Sequence, residues 1–111
     1  MLIREHKGVQ YAIEVGYLGD EEAWMLELSE ARHAPESWSE SFKTVPWLPG
    51  EAFLMALVPD EDLDREPSLH LFGPNGKELP HAVMLWFMEV VAEEVARCRA
   101  NLEQARPSDP A

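Results

Sequence analysis

The sequence contains one cysteine, Cys98, among 111 residues, so an internal disulfide bond cannot form. Long hydrophobic runs are also missing, because the two longest, residues 52–58 and 82–88, have seven residues each. A membrane-spanning helix needs about twenty apolar residues, and residues 1–7 contain no apolar stretch of the kind a secretory signal requires. We therefore expect a soluble protein of the reducing cytoplasm.

Basic residues are scarce, since nine Lys and Arg stand against 21 Asp and Glu, for a formal net charge of −12. Nucleic acids and anionic membranes are bound by basic surfaces, so neither is expected as a direct partner. Hydrophobic residues make up 46 % of the chain, which is too many for a wholly disordered protein. We expect one domain over residues 1–105 and a flexible tail over residues 106–111.

The negative charge is concentrated in the middle of the chain. Residues 20–66 contain thirteen acids and three bases, a net charge of −10, whereas residues 1–19 sum to zero and residues 67–111 to −2. A concentrated acidic surface can steer a basic partner towards it. The alternative interpretation is that each acidic cluster serves only solubility.

Hydrophobic residues occupy alternate positions from residue 9 to residue 17, which predicts a strand with one buried face. Lys7 and Gly8 predict a turn from a short preceding strand over residues 2–5. Trp24, Leu26 and Leu28 also alternate, which favours a second strand after a polar turn. The alternative is a helix over residues 21–34, which are rich in strong helix formers.

The middle of the chain gives weaker signals. Residues 32–50 contain three prolines and a polar run, and predict irregular structure with a short strand over residues 41–45. Residues 51–58, bracketed by proline on both sides, favour a short helix, with a buried strand as the alternative. Residues 60–67 predict an acidic loop. Residues 69–72 predict a strand, and residues 73–76 a turn.

The clearest predicted element is a C-terminal helix over residues 80–104. Its apolar stripe has helical spacing and comprises Met84, Met88, Val91, Val95, Cys98 and Leu102. Residues 82–88 are apolar on every side, so we expect this half of the helix to lie in a groove. Glu93 and Arg97 are four residues apart in the order that stabilises a helix.

These elements predict an α+β fold. We expect an antiparallel sheet of three to five strands that packs one face on the long C-terminal helix, with the short helix near residues 51–58 beside it.

The candidate catalytic and metal-binding groups are weak. Asp60, Asp62 and Asp64 match the first ligand spacings of a calcium-binding EF-hand loop, but Arg65 stands where the loop requires glycine. The four histidines lack the spacing of ligand pairs, and Cys98 falls on the apolar stripe, where a thiol is inert. No sequence motif of a nucleophile, a phosphate-binding loop or a dinucleotide site occurs. We expect no catalytic residue, cofactor or metal.

Aromatic side chains share the acidic middle segment, and tryptophan is enriched at binding hot spots. They either fold back as a lid on the core or contact a partner. The predicted partner-binding residues are Trp38, Phe42, Trp47, Asp60, Asp62 and Asp64.

Three classes of function follow from the sequence. The first is a non-catalytic protein-binding module, such as a regulator, an inhibitor, an immunity-type protein or a chaperone, with a protein partner of basic character. The second is a small enzyme or ligand-binding domain with a pocket between sheet and helix. The third is a nucleic-acid mimic, which requires residues 20–22 and 60–66 to share one face. The apolar first half of the long helix also predicts a homodimer.

Overall fold

The computed structural model describes residues 1–35, 46–72 and 78–105. The secondary-structure elements, in chain order, are β1 (Leu2–His6), β2 (Val9–Leu18), β3 (Ala23–Glu30), β4 (Arg32–His33), β5 (Trp47–Leu48), β6 (Ala52–Pro59), β7 (Ser68–Leu71) and α1 (His81–Ala105). Five strands form one antiparallel sheet in the order β1-β2-β3-β6-β7, and α1 packs on one face of it. The predicted α+β fold is confirmed. The small ribbon of β4 and β5 is inserted between β3 and β6.

The first hairpin has the two-residue turn that the sequence predicts. His6 pairs with Val9, and the turn residues Lys7 and Gly8 have φ angles of 49° and 83°. Two consecutive positive φ values give the turn a twist that matches the flanking strands. Glycine is favoured in such turns because it adopts a positive φ without a steric clash.

The strand interpretation of residues 23–30 is confirmed over the helical alternative. Ile13 pairs with Leu28, and Tyr17 pairs with Trp24, so the alternating apolar residues of both strands share the face that α1 covers. Burial of this face outweighs the helix propensity of the segment, because propensity differences are small compared with tertiary packing.

The short helix predicted over residues 51–58 is wrong, because these residues form β6. This strand lies between β3 and β7, and its apolar residues are buried on both faces of the sheet. Leu54 and Val58 face α1, whereas Leu57 lies on the opposite face and is only 9 % exposed. A strand covered on both faces reads as a continuous apolar run, which the sequence pattern does not distinguish from a helix.

The core lies between the sheet and α1. Its fully buried side chains come from three strands and the helix, namely Ile13, Leu26, Leu28, Leu54, Val58, Val83 and Phe87. We expect Phe87→Ala to lower the free energy of unfolding by about 3–5 kcal/mol, as the same truncation does at other buried positions.

The predicted helix is confirmed within one residue at each end, but its first half is oriented differently from the prediction. Val83 and Phe87 are the buried residues there, whereas Leu85 is 50 % and Met88 is 38 % exposed. Residues 82–88 therefore do not lie in an enclosing groove formed by the described residues. Arg97 pairs with Glu94, three residues before it, where the sequence predicted Glu93.

Three predicted segments lie outside the described residues. These are the strand over residues 41–45, the turn over residues 73–76 and the tail over residues 106–111.

A close backbone contact fixes the chain where it enters β6. Ser29, which is 2 % exposed, accepts a hydrogen bond at its Oγ from the Gly50 N–H at 3.1 Å. A β-carbon on Gly50 would lie 2.2 Å from the Glu30 carbonyl oxygen. Only glycine fits this position without moving the backbone of β3.

Replacing Gly50 therefore tests the contact. We expect Gly50→Ala to lower the free energy of unfolding by about 1–3 kcal/mol, because the added methyl group meets a backbone atom that cannot turn away. Urea unfolding measures this loss. Gly19→Ala is the matched control, because a β-carbon at Gly19 would meet no atom within 4 Å, and its effect should stay within about 0.5 kcal/mol. An equal loss of stability in both variants would contradict the close contact between Gly50 and the Glu30 backbone.

Candidate functional site

Two acidic segments that are distant in sequence meet at one end of the sheet. The turn of residues 20–22 precedes β3, and the loop of residues 60–66 follows β6; because these strands are antiparallel neighbours, Ala23 pairs with Pro59. The Asp60 N–H donates to the Glu22 carbonyl oxygen at 3.2 Å. We name these two segments together the acidic pole.

Arg65 ties the loop to the turn. Its guanidinium donates to the Glu21 carboxylate at 3.3 Å and also to the Glu21 carbonyl oxygen. Both side chains of the ion pair are substantially exposed, at 40 % and 55 %. An exposed pair of this kind contributes at most about 1 kcal/mol, so it orients the loop more than it stabilises the fold.

Most of the net charge of the chain lies in this pole. The two segments contain eight acids and one base, which gives −7 of the total −12. All of these acidic side chains are exposed except that of Asp60, which is partly buried. Exposed carboxylates with few bases among them create a negative potential that extends into the solvent.

The loop is shaped by its own aspartates. Asp62 Oδ1 accepts a hydrogen bond from the Asp64 N–H at 2.9 Å, and the Asp62 carbonyl accepts one from the Arg65 N–H at 3.3 Å. A side chain that caps its own turn in this way is typical of aspartate in loops. Within the described ranges, no group of three or more His, Cys, Asp or Glu side chains is arranged to hold a metal ion.

Aromatic rings border the acidic pole on the face that carries α1. The rings of Tyr17 and Trp24 lie 5.0 Å apart at 54°, and the Tyr17 hydroxyl donates to Asp60 Oδ1 at 3.1 Å. Arg97 of α1 lies over the Trp24 ring at 5.1 Å and binds Glu94 through its guanidinium. The Glu94 carboxylate is the main reason that the pKa of Arg97 is raised. Tyr17 remains 44 % exposed beside the acids.

The position of Tyr17 raises the pKa of its phenol. Partial burial is the largest cause, followed by the hydrogen bond to Asp60 and the negative charges of Asp60, Glu61 and Glu22. Each of these disfavours a phenolate next to carboxylates.

Removing the Asp60 charge should reverse part of this effect. We expect Asp60→Asn to lower the pKa of Tyr17 towards its ordinary value, because an amide neither repels the phenolate nor accepts the hydroxyl proton as strongly. Titration of tyrosinate absorbance measures it, in a Tyr11→Phe background that leaves one tyrosine. Asp64→Asn is the control that removes a pole charge but no contact to Tyr17. A pKa of Tyr17 that is unchanged by Asp60→Asn would contradict the contact.

The structure separates some of the predicted partner-binding residues. Asp60, Asp62 and Asp64 lie in the acidic pole, whereas Trp47 lies in the β4–β5 ribbon, which follows the opposite end of β3. Eight strand residues lie between these two ends, a span of about 26 Å. Trp47 is partly buried and stacks on His33 at 4.0 Å. Trp38 and Phe42 lie outside the described residues.

Sequence reasoning missed the aromatic residues that do border the pole. Tyr17 and Trp24 were assigned only to strands, and their alternation pattern indicates a buried face. The available signal was their position, because each lies within three residues of the turn segment 20–22.

Cys98 is buried, as its place on the apolar stripe predicts. It is 2 % exposed, and burial, followed by the charge of Glu94, raises the pKa of its thiol. A raised pKa lowers the thiolate fraction at neutral pH and with it the reactivity of the sulfur.

An open cleft lies outside the sheet–helix core, between β1 and the start of α1. This cleft of about 360 Å³ is bounded by Arg4, Glu5, His6, Ala82, Val83, Leu85, Trp86 and Glu89. Arg4 lies over the Trp86 ring at 5.7 Å. By contrast, the space between Val58, Leu63 and Val95 is about 10 Å³, the room of one water molecule.

The chain matches no protein-family model, and neither a curated protein nor a solved structure is significantly similar to it. None of the described helices has the length and hydrophobicity needed to cross a membrane.

Proposed function

We propose that this chain is a small, non-catalytic protein-binding module that recognises a basic partner surface through its acidic pole. The observation that carries the proposal is the junction of residues 20–22 with residues 60–66 by the Asp60–Glu22 and Arg65–Glu21 contacts. This junction combines two moderate clusters into one surface with a charge of −7.

The electrostatics of the pole favour capture of a protein with Lys and Arg side chains. Local carboxylates accelerate the association of an oppositely charged partner and fix its orientation, with an effect that salt screens. Tyr17 adds an exposed ring beside the acids, on which an arginine or lysine side chain can pack. Charge and ring together give the pole more selectivity than charge alone.

The packing of the core argues against the predicted pocket between sheet and helix. Among the described residues, this space is filled by fully buried aliphatic and aromatic side chains, which leaves an interior pocket little volume. A ligand-binding role would therefore use the open cleft beside β1 and Trp86. We propose a cytoplasmic location with this function, and keep Trp38, Phe42 and Trp47 as predicted secondary contacts.

Charge neutralisation at the pole tests the proposal. We expect the triple variant Asp60→Asn, Asp62→Asn and Asp64→Asn to bind a labelled decalysine peptide about tenfold more weakly than the unmodified chain, because each lost ion pair costs a few tenths of a kcal/mol or more. Fluorescence anisotropy at low salt measures the dissociation constant, and added salt should weaken binding by the unmodified chain most.

A second triple variant provides the control with the same change in net charge. It carries Glu5→Gln, Glu89→Gln and Glu93→Gln, all exposed and outside the pole. Equal weakening in both variants would show that net charge, not the pole, governs binding, and would contradict the proposal. Capture from a cell lysate with the same three proteins then identifies partners whose retention depends on the pole.

A nucleic-acid mimic is the second candidate, and the same junction favours it, because it places residues 20–22 and 60–66 at one end of the sheet. A mimic occupies the basic cleft of a protein that binds DNA or RNA. A captured partner that a short DNA duplex displaces in competition would support this candidate. A captured partner that the duplex leaves bound would support the general module.

A further inference from the structure

The two edges of the sheet differ in their charge. β1 carries Arg4 and Glu5, whereas residues 68–72, which include β7, contain no Asp, Glu, Lys or Arg. Charged side chains on an edge strand discourage it from pairing with another chain. β1 is therefore protected against pairing with another chain, and β7 lacks this protection.

The β7 edge is also the more apolar of the two. Leu69 is 46 %, Leu71 is 82 % and Phe72 is 49 % exposed. Leu69 pairs with Ala56 and Leu71 with Leu54, so both leucines lie on the face that carries α1. Together they extend the apolar face of the sheet out to its edge.

The backbone of β7 is arranged to accept a further strand. The Phe72 N–H donates to the Phe53 carbonyl at 2.9 Å, which makes this a hydrogen-bonded pair. Such pairs alternate along an antiparallel ladder, so His70 also directs its backbone groups to β6, and Leu69 and Leu71 direct theirs outward. Within the described residues, no strand lies beyond β7.

We propose that β7 pairs with β7 of a second copy of this chain, in antiparallel orientation, to form a continuous ten-stranded sheet. The two-fold axis passes between the two His70 residues and sets Leu69 opposite Leu71 of the second copy. In this register the outward backbone groups of both leucines form hydrogen bonds. No directly opposed pair then contains Asp, Glu, Lys or Arg, and the surface is self-complementary, as a two-fold interface requires.

The charge distribution favours a second copy as the occupant. The acidic pole precedes Ser68, whereas Phe72 lies towards the other end of the sheet. Antiparallel pairing therefore places the two poles, each of charge −7, at opposite ends of the joined sheet, where their repulsion is weakest. The exposed Leu85 and Met88 of α1, the predicted dimer contact, are a weaker candidate because Glu5, Arg4 and Glu89 border the adjoining cleft.

Sedimentation velocity of the whole chain, from micromolar to millimolar concentration, tests the pairing. We expect a monomer–dimer equilibrium, weakened about tenfold or more by Leu69→Lys or by Leu71→Glu, because each puts a charge opposite a leucine. Mixing the two variants should restore dimerisation, since the proposed register brings the introduced lysine and glutamate together across the axis. Restoration on mixing is specific to this register.

Two control variants place a charge on exposed leucines outside β7. Leu2→Lys on β1 and Leu85→Lys on α1 change residues that are 46 % and 50 % exposed, and both should dimerise like the unmodified chain. Circular dichroism melts check that each variant is folded. A chain that stays monomeric at all concentrations, variants of β7 that dimerise normally, or equal weakening by the controls would each overturn the proposal.

Discussion

The pairing of β3 with β6 is the constraint on which the rest of the structure depends. It places the central strands side by side although more than twenty residues separate them, and it buries Leu26, Leu28 and Leu54 under α1. Because the pairing runs from Ala23↔Pro59 to Ser29↔Ala52, it also determines which loops share an end of the sheet. The acidic pole is a direct consequence of this register.

Concentrating charge at one end has an energetic cost that the fold offsets locally. Like charges repel, and the pole contains one base among eight acids. Arg65 lies between the two segments, the Asp62 side chain satisfies a backbone donor of its own loop, and the solvent screens the exposed carboxylates. The acids of the pole are therefore held together by specific contacts between and within its two segments.

Much of the fold is predictable from the sequence because its signals are local. Alternation identifies β2 and β3, and helical spacing identifies α1 almost to its ends. The same reasoning does not identify β6, because a strand that is buried on both faces does not alternate between apolar and polar residues. The orientation of the first half of α1 was predicted wrongly for a similar reason. Residues 82–88 are apolar throughout, so only the packing determines that Val83 and Phe87 lie in the core.

The candidate site is predictable only in part. Charge counting finds the acids of residues 60–64, but their junction with residues 20–22 depends on a long-range strand pairing that no local pattern encodes. The same pairing separates them from Trp47, which the sequence places in the same acidic segment. Tyr17 and Trp24 take its place beside the acids, since the ends of β2 and β3 bring them there.

The most direct measurement of the central claim is paramagnetic relaxation enhancement from a nitroxide attached at Asp20→Cys, in a Cys98→Ala background. If the two segments form one surface, the amide signals of residues 60–66 lose intensity and those of Trp47 and Leu48 keep theirs. Full intensity at residues 60–66 would contradict the acidic pole, and with it the proposal that this chain binds a basic partner through that surface.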